Sequence, residues 1–308
     1  MPLLRSAFIA LSRNRQLRQF SEQSRLGAQL SSRFVAGMEI DDALRAAEAM
    51  NGQGITVSLD SLGESVTSEV EAQQSAEVYH RLLDAIQARK LQANISVKLT
   101  QMGLEISPDL AESIAESLTG HAQVASSFVR IDMEDSSLTQ ATLDIVRRLH
   151  ARPELRGAVG VVIQAYLYRS QTDIEELLAD GIRVRLCKGA YNEPAEVAFP
   201  HKADVDQNFL RLAGILLDSP VYHGLATHDE PMIDGIKEFA RQHAIDSGRF
   251  EFQMLYGVRR DLQRDLVRQG YNVRVYVPFG RAWYPYFMRR LAERPANVLF
   301  IAKNMLRK

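Results

Sequence analysis

Residues 95–134 read ISVKLTQMGLEISPDLAESIAESLTGHAQVASSFVRIDME, a β-type run, a helical stretch and a second β-type run. The helical stretch has Ser107 in the N-cap position and Pro108 in its first turn. Ser170 and Asp173 suit a similar capping role at the start of SQTDIEELLAD further along the chain. A strand, a helix and a strand in this order predict a parallel βαβ unit.

The same alternation continues through most of the chain. The other β-type runs are ITVSLDSLG, VGVVIQAY, RVRLCKGAY, HGLATHD, FEFQMLYG and VRVYVPFG, which start at residues 55, 159, 183, 223, 250 and 273. Eight such runs in 308 residues predict a closed (β/α)8 TIM-type barrel. An open doubly wound sheet is the alternative, but the glycine-rich first turn typical of that fold is missing.

Composition and charge limit the classes of function. Lys and Arg total 37 against 38 Asp and Glu, which argues against nucleic acid as a partner. No segment resembles a secretion signal or a membrane span, so we expect a cytoplasmic protein with at most peripheral membrane contact. Residues 1–308 are predicted to form a single domain, with residues 1–54 as an N-terminal helical arm. The one cysteine, Cys187, lies in an apolar run and is predicted to be a small buried hydrophobe.

Polar side chains recur on the predicted strands, although strands of a parallel barrel are usually apolar on both faces. Because strand side chains alternate, each apolar face leaves a polar face opposite it. The polar faces, each toward the C-terminal end of its run, carry Lys98, Asp132, Gln164, Arg185 and Tyr276. These ends converge on the mouth of a barrel, where active sites lie. A ring of mutually satisfied ion pairs is the alternative, but convergence from several strands favours a site.

The segment YPYFMRRLAER places four polar side chains on one helical face. Tyr286, Arg289, Arg290 and Glu293 follow the spacing i, i+3, i+4 and i+7. Such a face is either solvated or a binding surface. Two adjacent arginines above a polar pocket suit a bidentate clamp for a small carboxylate, which would make the ligand an amino, imino or keto acid.

Three kinds of chemistry are compatible in principle with these residue types. Metal catalysis is disfavoured because the histidines are scattered, so no metal site is expected. Schiff-base catalysis could use Lys98 or Lys188. Flavin chemistry needs a positive group near the flavin ring, which Arg185 could supply, while Gly189 and Ala190 would let the backbone approach the ribityl and phosphate part. A carboxylate-binding barrel without catalysis also remains open.

The ordered motifs SVKLT, RIDME, VVIQAY, VRLCKGAY, ATHD, FQMLYG and VYVPFG resemble successive strand motifs of the proline dehydrogenase family. YFMRRLAE is similar to the family's Tyr-x-x-Arg-Arg-x-x-Glu helix, and the resemblance extends from about Leu62 to the C-terminus. It indicates the monofunctional bacterial type, with the last helix placed over the barrel mouth. The implied reaction is oxidation of L-proline to 1-pyrroline-5-carboxylate, the first step of proline catabolism to glutamate.

The resemblance also implies cofactor, partners and roles. Non-covalent FAD would take a hydride at N5 and pass the electrons to a membrane quinone, and a separate pyrroline-5-carboxylate dehydrogenase would use the product. The catalytic residues implied are Asp132 and Arg185. The substrate-binding residues implied are Lys98, Arg289, Arg290, Leu255, Tyr276, Tyr286 and Tyr191, with Glu64 as a gate that pairs with Arg289. The cofactor-binding residues implied are Met133, Gln164, Arg185, Lys188, Gly189, Ala190, Thr227, His228 and Glu293.

A few positions extend or depart from the family pattern. Relatives that act on hydroxyproline tend to have a smaller residue at the position of Tyr276, so we expect a preference for proline over 4-hydroxyproline. Cys187 stands where valine is frequent, and Asp229 where asparagine is common. The C-terminal VLFIAKNMLRK is interpreted either as a helix packed on the barrel or as a basic amphipathic membrane contact.

Overall fold

The computed structural model describes residues 33–63, 65–284 and 286–288. Within them, eight parallel strands form a closed barrel in sequential order, as predicted. The strands are β1 (Thr56–Ser61), β2 (Ala93–Lys98), β3 (Val129–Asp132), β4 (Val159–Gln164), β5 (Arg183–Cys187), β6 (His223–Ala226), β7 (Phe250–Leu255) and β8 (Asn272–Phe279). The helices are α1 (Ile40–Asn51), α2 (Glu69–Ala88), α3 (Pro108–Val124), α4 (Thr139–Ala151), α5 (Ser170–Ala179), α6 (Lys202–Asp218), α7 (Glu230–Gln242) and α8 (Arg260–Arg268).

Helix α1 completes the ring of helices around the barrel. Each of the strands β1–β7 is followed by one of the helices α2–α8, whereas α1 precedes β1 and packs against β1 and β8. It therefore occupies the place that an eighth helix takes in a regular barrel. Of the predicted N-terminal arm, residues 33–54 belong to the described part, and residues 1–32 lie outside it.

The two predicted helix starts have different outcomes. Ser107 caps α3, with its side chain accepting the Leu110 N–H and Pro108 at the first position, so this prediction is confirmed. The capping role predicted for Ser170 is wrong, because α5 begins at Ser170 itself. Its buried hydroxyl donates instead to the carbonyls of Gln164 and Leu167, which satisfies the end of β4.

The strands separate an apolar exterior from a polar interior. Side chains such as Ile95, Val97 and Ile131 are fully buried in one core with the apolar faces of the helices. The register pairs Lys98 with Asp132 and Leu255 with Tyr276. These side chains lie on the inward face of their strands, so they meet inside the barrel. Among the described helices, none is long and apolar enough to cross a membrane.

Candidate active site

A cavity of about 400 Å³ opens at the C-terminal end of the barrel. All predicted site residues in the described part of the chain line it, namely Lys98, Asp132, Met133, Gln164, Arg185, Lys188, Gly189, Ala190, Tyr191, Thr227, His228, Leu255, Tyr276 and Tyr286. Glu64, Arg289, Arg290 and Glu293 lie outside the described residues. The volume suits a small molecule or one part of a larger ligand.

Asp132, at the end of β3, is the centre of the charged groups in this cavity. One carboxylate oxygen accepts the Ser96 hydroxyl at 2.6 Å and an N–H of Arg185, and the other accepts the Tyr276 hydroxyl at 2.9 Å. Burial works to raise the pKa of Asp132, but Arg185 and Lys98 outweigh it, so the pKa lies below its ordinary value. The group is therefore an ionised, fully hydrogen-bonded carboxylate at neutral pH.

Arg185 and Tyr276 stack beside Asp132. The guanidinium carbon of Arg185 lies 5.2 Å from the centre of the Tyr276 ring. Burial works to lower the pKa of Arg185, but the charge of Asp132 outweighs it and raises that pKa. Burial, followed by the charge of Asp132, raises the pKa of Tyr276, so its phenol stays a neutral donor. The cavity thus holds a permanent positive charge next to an apolar ring.

Lys98 lies between two carboxylates. Its Nζ is 3.3 Å from Asp60 Oδ2 and 3.9 Å from Asp132 Oδ2. Two neighbouring negative charges stabilise the ammonium form. Schiff-base chemistry requires the neutral amine, whereas the contacts of Lys98 with Asp60 and Asp132 are ion pairs.

The end of β5 brings the backbone close to the cavity. Gly189 has a φ of 114°, and a Cβ there would lie 2.5 Å from a ring carbon of Tyr166. Only glycine fits this position. The ammonium of Lys188 next to it lies 2.5 Å from Asp206 and 2.8 Å from Asp229, which fixes its position at the rim.

Side chains at the ends of β4 and β6 are oriented by backbone groups. His228 Nε2 accepts the N–H of Leu255 at 2.8 Å, so in the neutral ring the proton is on Nδ1. The Thr227 hydroxyl accepts the N–H of Asp229 at 3.1 Å, and the Gln164 amide donates to the Glu134 carbonyl at 2.8 Å. Fixed partners of this kind preorganise a binding site.

Sequence reasoning missed several residues at this site. Cys187 packs against the apolar core but is only partly buried and also lines the cavity, so the prediction of a small buried hydrophobe is confirmed only in part. The alternation that places Arg185 inward also places Cys187 inward, and it would have found Asp60 on β1 in the same way. Asp206 belongs to α6 and reaches Lys188 from outside the barrel, for which the strand pattern gives no signal.

Comparisons with known proteins agree with this architecture. A family model described as proline dehydrogenase matches residues 43–303. The chain belongs to the proline dehydrogenase family. Proline dehydrogenase 1 of Bacillus subtilis (strain 168) is 42% identical over 308 residues, covering 99% of this chain and 100% of the relative. Proline dehydrogenase of Deinococcus radiodurans is 42% identical over 312 residues, covering 99% of this chain and 98% of that protein.

The structural comparison gives the same family. A crystal structure of proline utilization A (PutA) from Bdellovibrio bacteriovorus, inactivated by N-propargylglycine, superposes with a TM-score of 0.82 at 26% identity. The match covers 94% of this chain and 36% of that chain, so this chain spans about a third of the longer protein. Family membership makes the protein an oxidoreductase of proline catabolism built on a (β/α)8 barrel.

Proposed function

We propose that the chain oxidises L-proline to 1-pyrroline-5-carboxylate with FAD and delivers the electrons to a membrane quinone. The observation that carries this proposal is the Asp132–Arg185 pair in the cavity, with Lys98 beside it and Tyr276 over it. A buried cation next to an ordered carboxylate suits a reaction in which charge develops on a bound ring. The product would pass to a separate pyrroline-5-carboxylate dehydrogenase.

The cavity residues fit a flavin. When bound without a covalent link, FAD supplies the N5 atom that accepts the hydride from the proline carbon next to nitrogen. Arg185 would supply the positive charge that stabilises the reduced ring, and its raised pKa keeps it charged. The close backbone approach at Gly189 leaves room for the ribityl and phosphate part beside Lys188.

Cavity residues also fit a small cyclic amino acid. Lys98 would attract the substrate carboxylate together with Arg289 and Arg290, and the ring would contact Leu255, Tyr276, Tyr286 and Tyr191. The amine must be neutral for the reaction, because its lone pair forms the C=N bond as the hydride leaves. Glu64, paired with Arg289, would act as a gate over the bound substrate.

Delivery to a membrane quinone requires contact with the bilayer. The basic, apolar residues 298–308 would supply it, and this segment lies outside the described residues. Flotation of the protein with liposomes, with and without these residues, tests the contact. Loss of flotation on truncation is the expected result, and unchanged flotation would contradict it.

The proposed reaction is tested by the visible spectrum of the purified protein before and after L-proline is added without air. We expect a flavin band that bleaches with L-proline. A flavin band indifferent to proline would contradict the substrate. No flavin band after addition of FAD would contradict the cofactor, and covalent trapping of proline by borohydride would then favour a lyase that uses Lys98.

A further inference from the structure

We propose that Asp60 is a positioning residue that holds Lys98 in place for the carboxylate of the substrate. The inference rests on the proposed function, since it gives Lys98 a substrate to bind. Asp60 is the inward-facing residue near the end of β1, and its exposed fraction is 0%. A carboxylate buried to this degree requires a counter-charge and hydrogen bonds.

Of the two described carboxylates that pair with Lys98, Asp60 is the closer. Its Nζ lies 3.3 and 3.5 Å from the two Asp60 oxygens, against 3.9 Å from Asp132. Asp132 already accepts three donors, from Arg185, Ser96 and Tyr276. Between these two carboxylates, Asp60 is therefore the nearer counter-ion of Lys98, and Asp132 is bonded mainly to Arg185.

A tyrosine from outside the barrel fixes Asp60. Tyr79 belongs to α2 and has an exposed fraction of 0%. Its hydroxyl lies 3.1 Å from Asp60 Oδ1, the nearest of three acceptors, with Gln101 Oε1 at 3.2 Å and the Ser61 carbonyl at 3.3 Å. The N–H of Ser61 donates to the same hydroxyl at 3.2 Å. Burial, followed by the charge of Asp60, raises the pKa of Tyr79, so it remains a neutral donor. Helix α2 thereby sets the orientation of Asp60 on β1.

Asp60 faces two residues that line the cavity, the Lys98 ammonium and the Tyr276 hydroxyl, and of these two only Lys98 carries a charge that a ligand carboxylate can pair with. Lys98 and Asp132 line the cavity. Asp60 is not among the described residues that line it, so its carboxylate lies behind the cavity wall. Without that carboxylate, the Lys98 ammonium would turn toward Asp132, the other carboxylate among the described residues that pairs with it, and compete there with Arg185. The affinity for a ligand carboxylate would then fall more than the affinity for the ligand ring.

The test compares two ligands of nearly the same shape, one with a charged carboxylate and one with a neutral carboxamide. Tetrahydrofuran-2-carboxylate has an ether oxygen in place of the proline nitrogen and cannot be oxidised in the same way, and its carboxamide is the neutral counterpart. Dissociation constants of both are measured on holoenzyme through the perturbed flavin spectrum. The variants are Asp60→Asn, Lys98→Met and the double variant, which together form a mutant cycle.

We expect Asp60→Asn to lower the preference for carboxylate over carboxamide by about tenfold or more. In the Lys98→Met background the same substitution is expected to change the preference by less than about twofold, because its effect passes through Lys98. Tyr79→Phe, which keeps the charge of Asp60, is expected to lower the preference by about threefold. Asp60→Glu, which keeps the negative charge, is expected to retain part of the preference that Asp60→Asn loses.

Ser58→Ala is the matched control, since Ser58 lies on the same strand and face but bonds Asn94 at 2.6 Å, away from the cavity. It should leave the preference unchanged. Equal weakening of both ligands by Asp60→Asn, or additive effects in the cycle, would overturn the proposal. If Asp60→Asn does not fold, an unchanged preference in Tyr79→Phe overturns it. Absence of bleaching by proline in the wild type would instead contradict the proposed function itself.

Discussion

The two ends of the barrel interior are both polar, but they are built differently. At the N-terminal end, which we call the floor, Arg130, Arg183 and Arg274 surround the ring of Phe128, with guanidinium carbons 5.3, 4.5 and 5.4 Å from its centre. Glu251 accepts from Arg274 at 2.7 Å. At the mouth, Lys98, Asp132, Arg185 and Tyr276 line a cavity instead.

The difference lies in what satisfies the charges. Arg130 donates to the carbonyls of Val161 and Arg183, and Arg274 donates to the Val57 carbonyl and to Asn94. These partners, three backbone carbonyls and the Asn94 side-chain amide, belong to the fold itself and are always present, so the floor is a structural assembly. The mouth residues bond mainly one another around an open volume, which leaves them able to interact with a ligand. Ion pairs occur at both ends, Arg274–Glu251 at the floor and Arg185–Asp132 and Lys98–Asp60 at the mouth, so the open volume and not the ion pairs distinguishes the mouth.

The largest expected effect is a loss of stability on substitution of a charged residue in the floor. Glu251 has an exposed fraction of 3%, and its substitution by glutamine would leave Arg274 and Arg130 without their carboxylate. We expect Glu251→Gln to lower the free energy of unfolding by about 3–5 kcal/mol while the kcat of folded holoenzyme stays unchanged. Urea unfolding measures the first quantity. Glu230→Gln, at an exposed pair with Arg259, should lower it by less than about 1 kcal/mol. Equal losses in the two variants would contradict this account of the floor.

At the mouth, we expect a substitution to lower kcat. Asp132→Asn keeps the shape of the side chain but removes the charge that pairs with Arg185. We expect kcat with L-proline to fall by about 10² or more, the size of a lost electrostatic contact at a reacting centre, with flavin content retained. Steady-state kinetics with an artificial acceptor measures the effect. A kcat within tenfold of the wild type would mean that this carboxylate does not act at the reacting centre.

A third effect concerns the pH dependence of stability at the N-terminal end of β6. His223 is 1% exposed and accepts the Val184 N–H on Nδ1, and burial lowers its pKa to about 3. The native state thus binds one proton fewer than the unfolded chain below about pH 6.5. Stability should fall as the pH drops through this range, by about 1.4 kcal/mol per pH unit, or roughly 2 kcal/mol between pH 6.5 and 5.

His223→Asn is the variant that isolates this contribution, because an amide oxygen can still accept the Val184 N–H. Urea unfolding at several pH values should give a shallower slope for the variant than for the wild type. Parallel curves for the two proteins would show that His223 does not control the acid response.

The smallest effect concerns the choice of substrate at the mouth. Tyr276 lines the cavity above Asp132 and should crowd a hydroxyl group on the proline ring. We expect Tyr276→Ser to raise the ratio of kcat/KM for 4-hydroxyproline to that for proline by about tenfold. Tyr276→Phe keeps the ring and should leave the ratio within about threefold of the wild type. Similar efficiencies for the two substrates in the wild type would refute the prediction.

The succession of eight β-type runs and helices predicted the barrel, and the alternation of side chains along each strand predicted the inward set of Lys98, Asp132, Gln164, Arg185 and Tyr276. Alternation depends on local geometry, so it can be read without the fold. It does not say which polar residues are satisfied by backbone carbonyls, and Arg130 and Lys98 look alike in the sequence. Tyr79 and Asp206 reach the site from helices, and their contacts depend on packing between distant segments. The roles predicted for Arg289, Arg290, Glu293 and Glu64 remain predictions.

The most direct test of the account compares Arg185→Met with Arg183→Met. The two arginines lie on the same strand and the same face, one at the mouth and one at the floor. Holoenzymes are mixed rapidly with L-proline without air, and bleaching of the flavin is followed. We predict bleaching at least about 10² slower for Arg185→Met and within about threefold of the wild type for Arg183→Met. Equal rates for the two variants would contradict the assignment of the mouth as the active site.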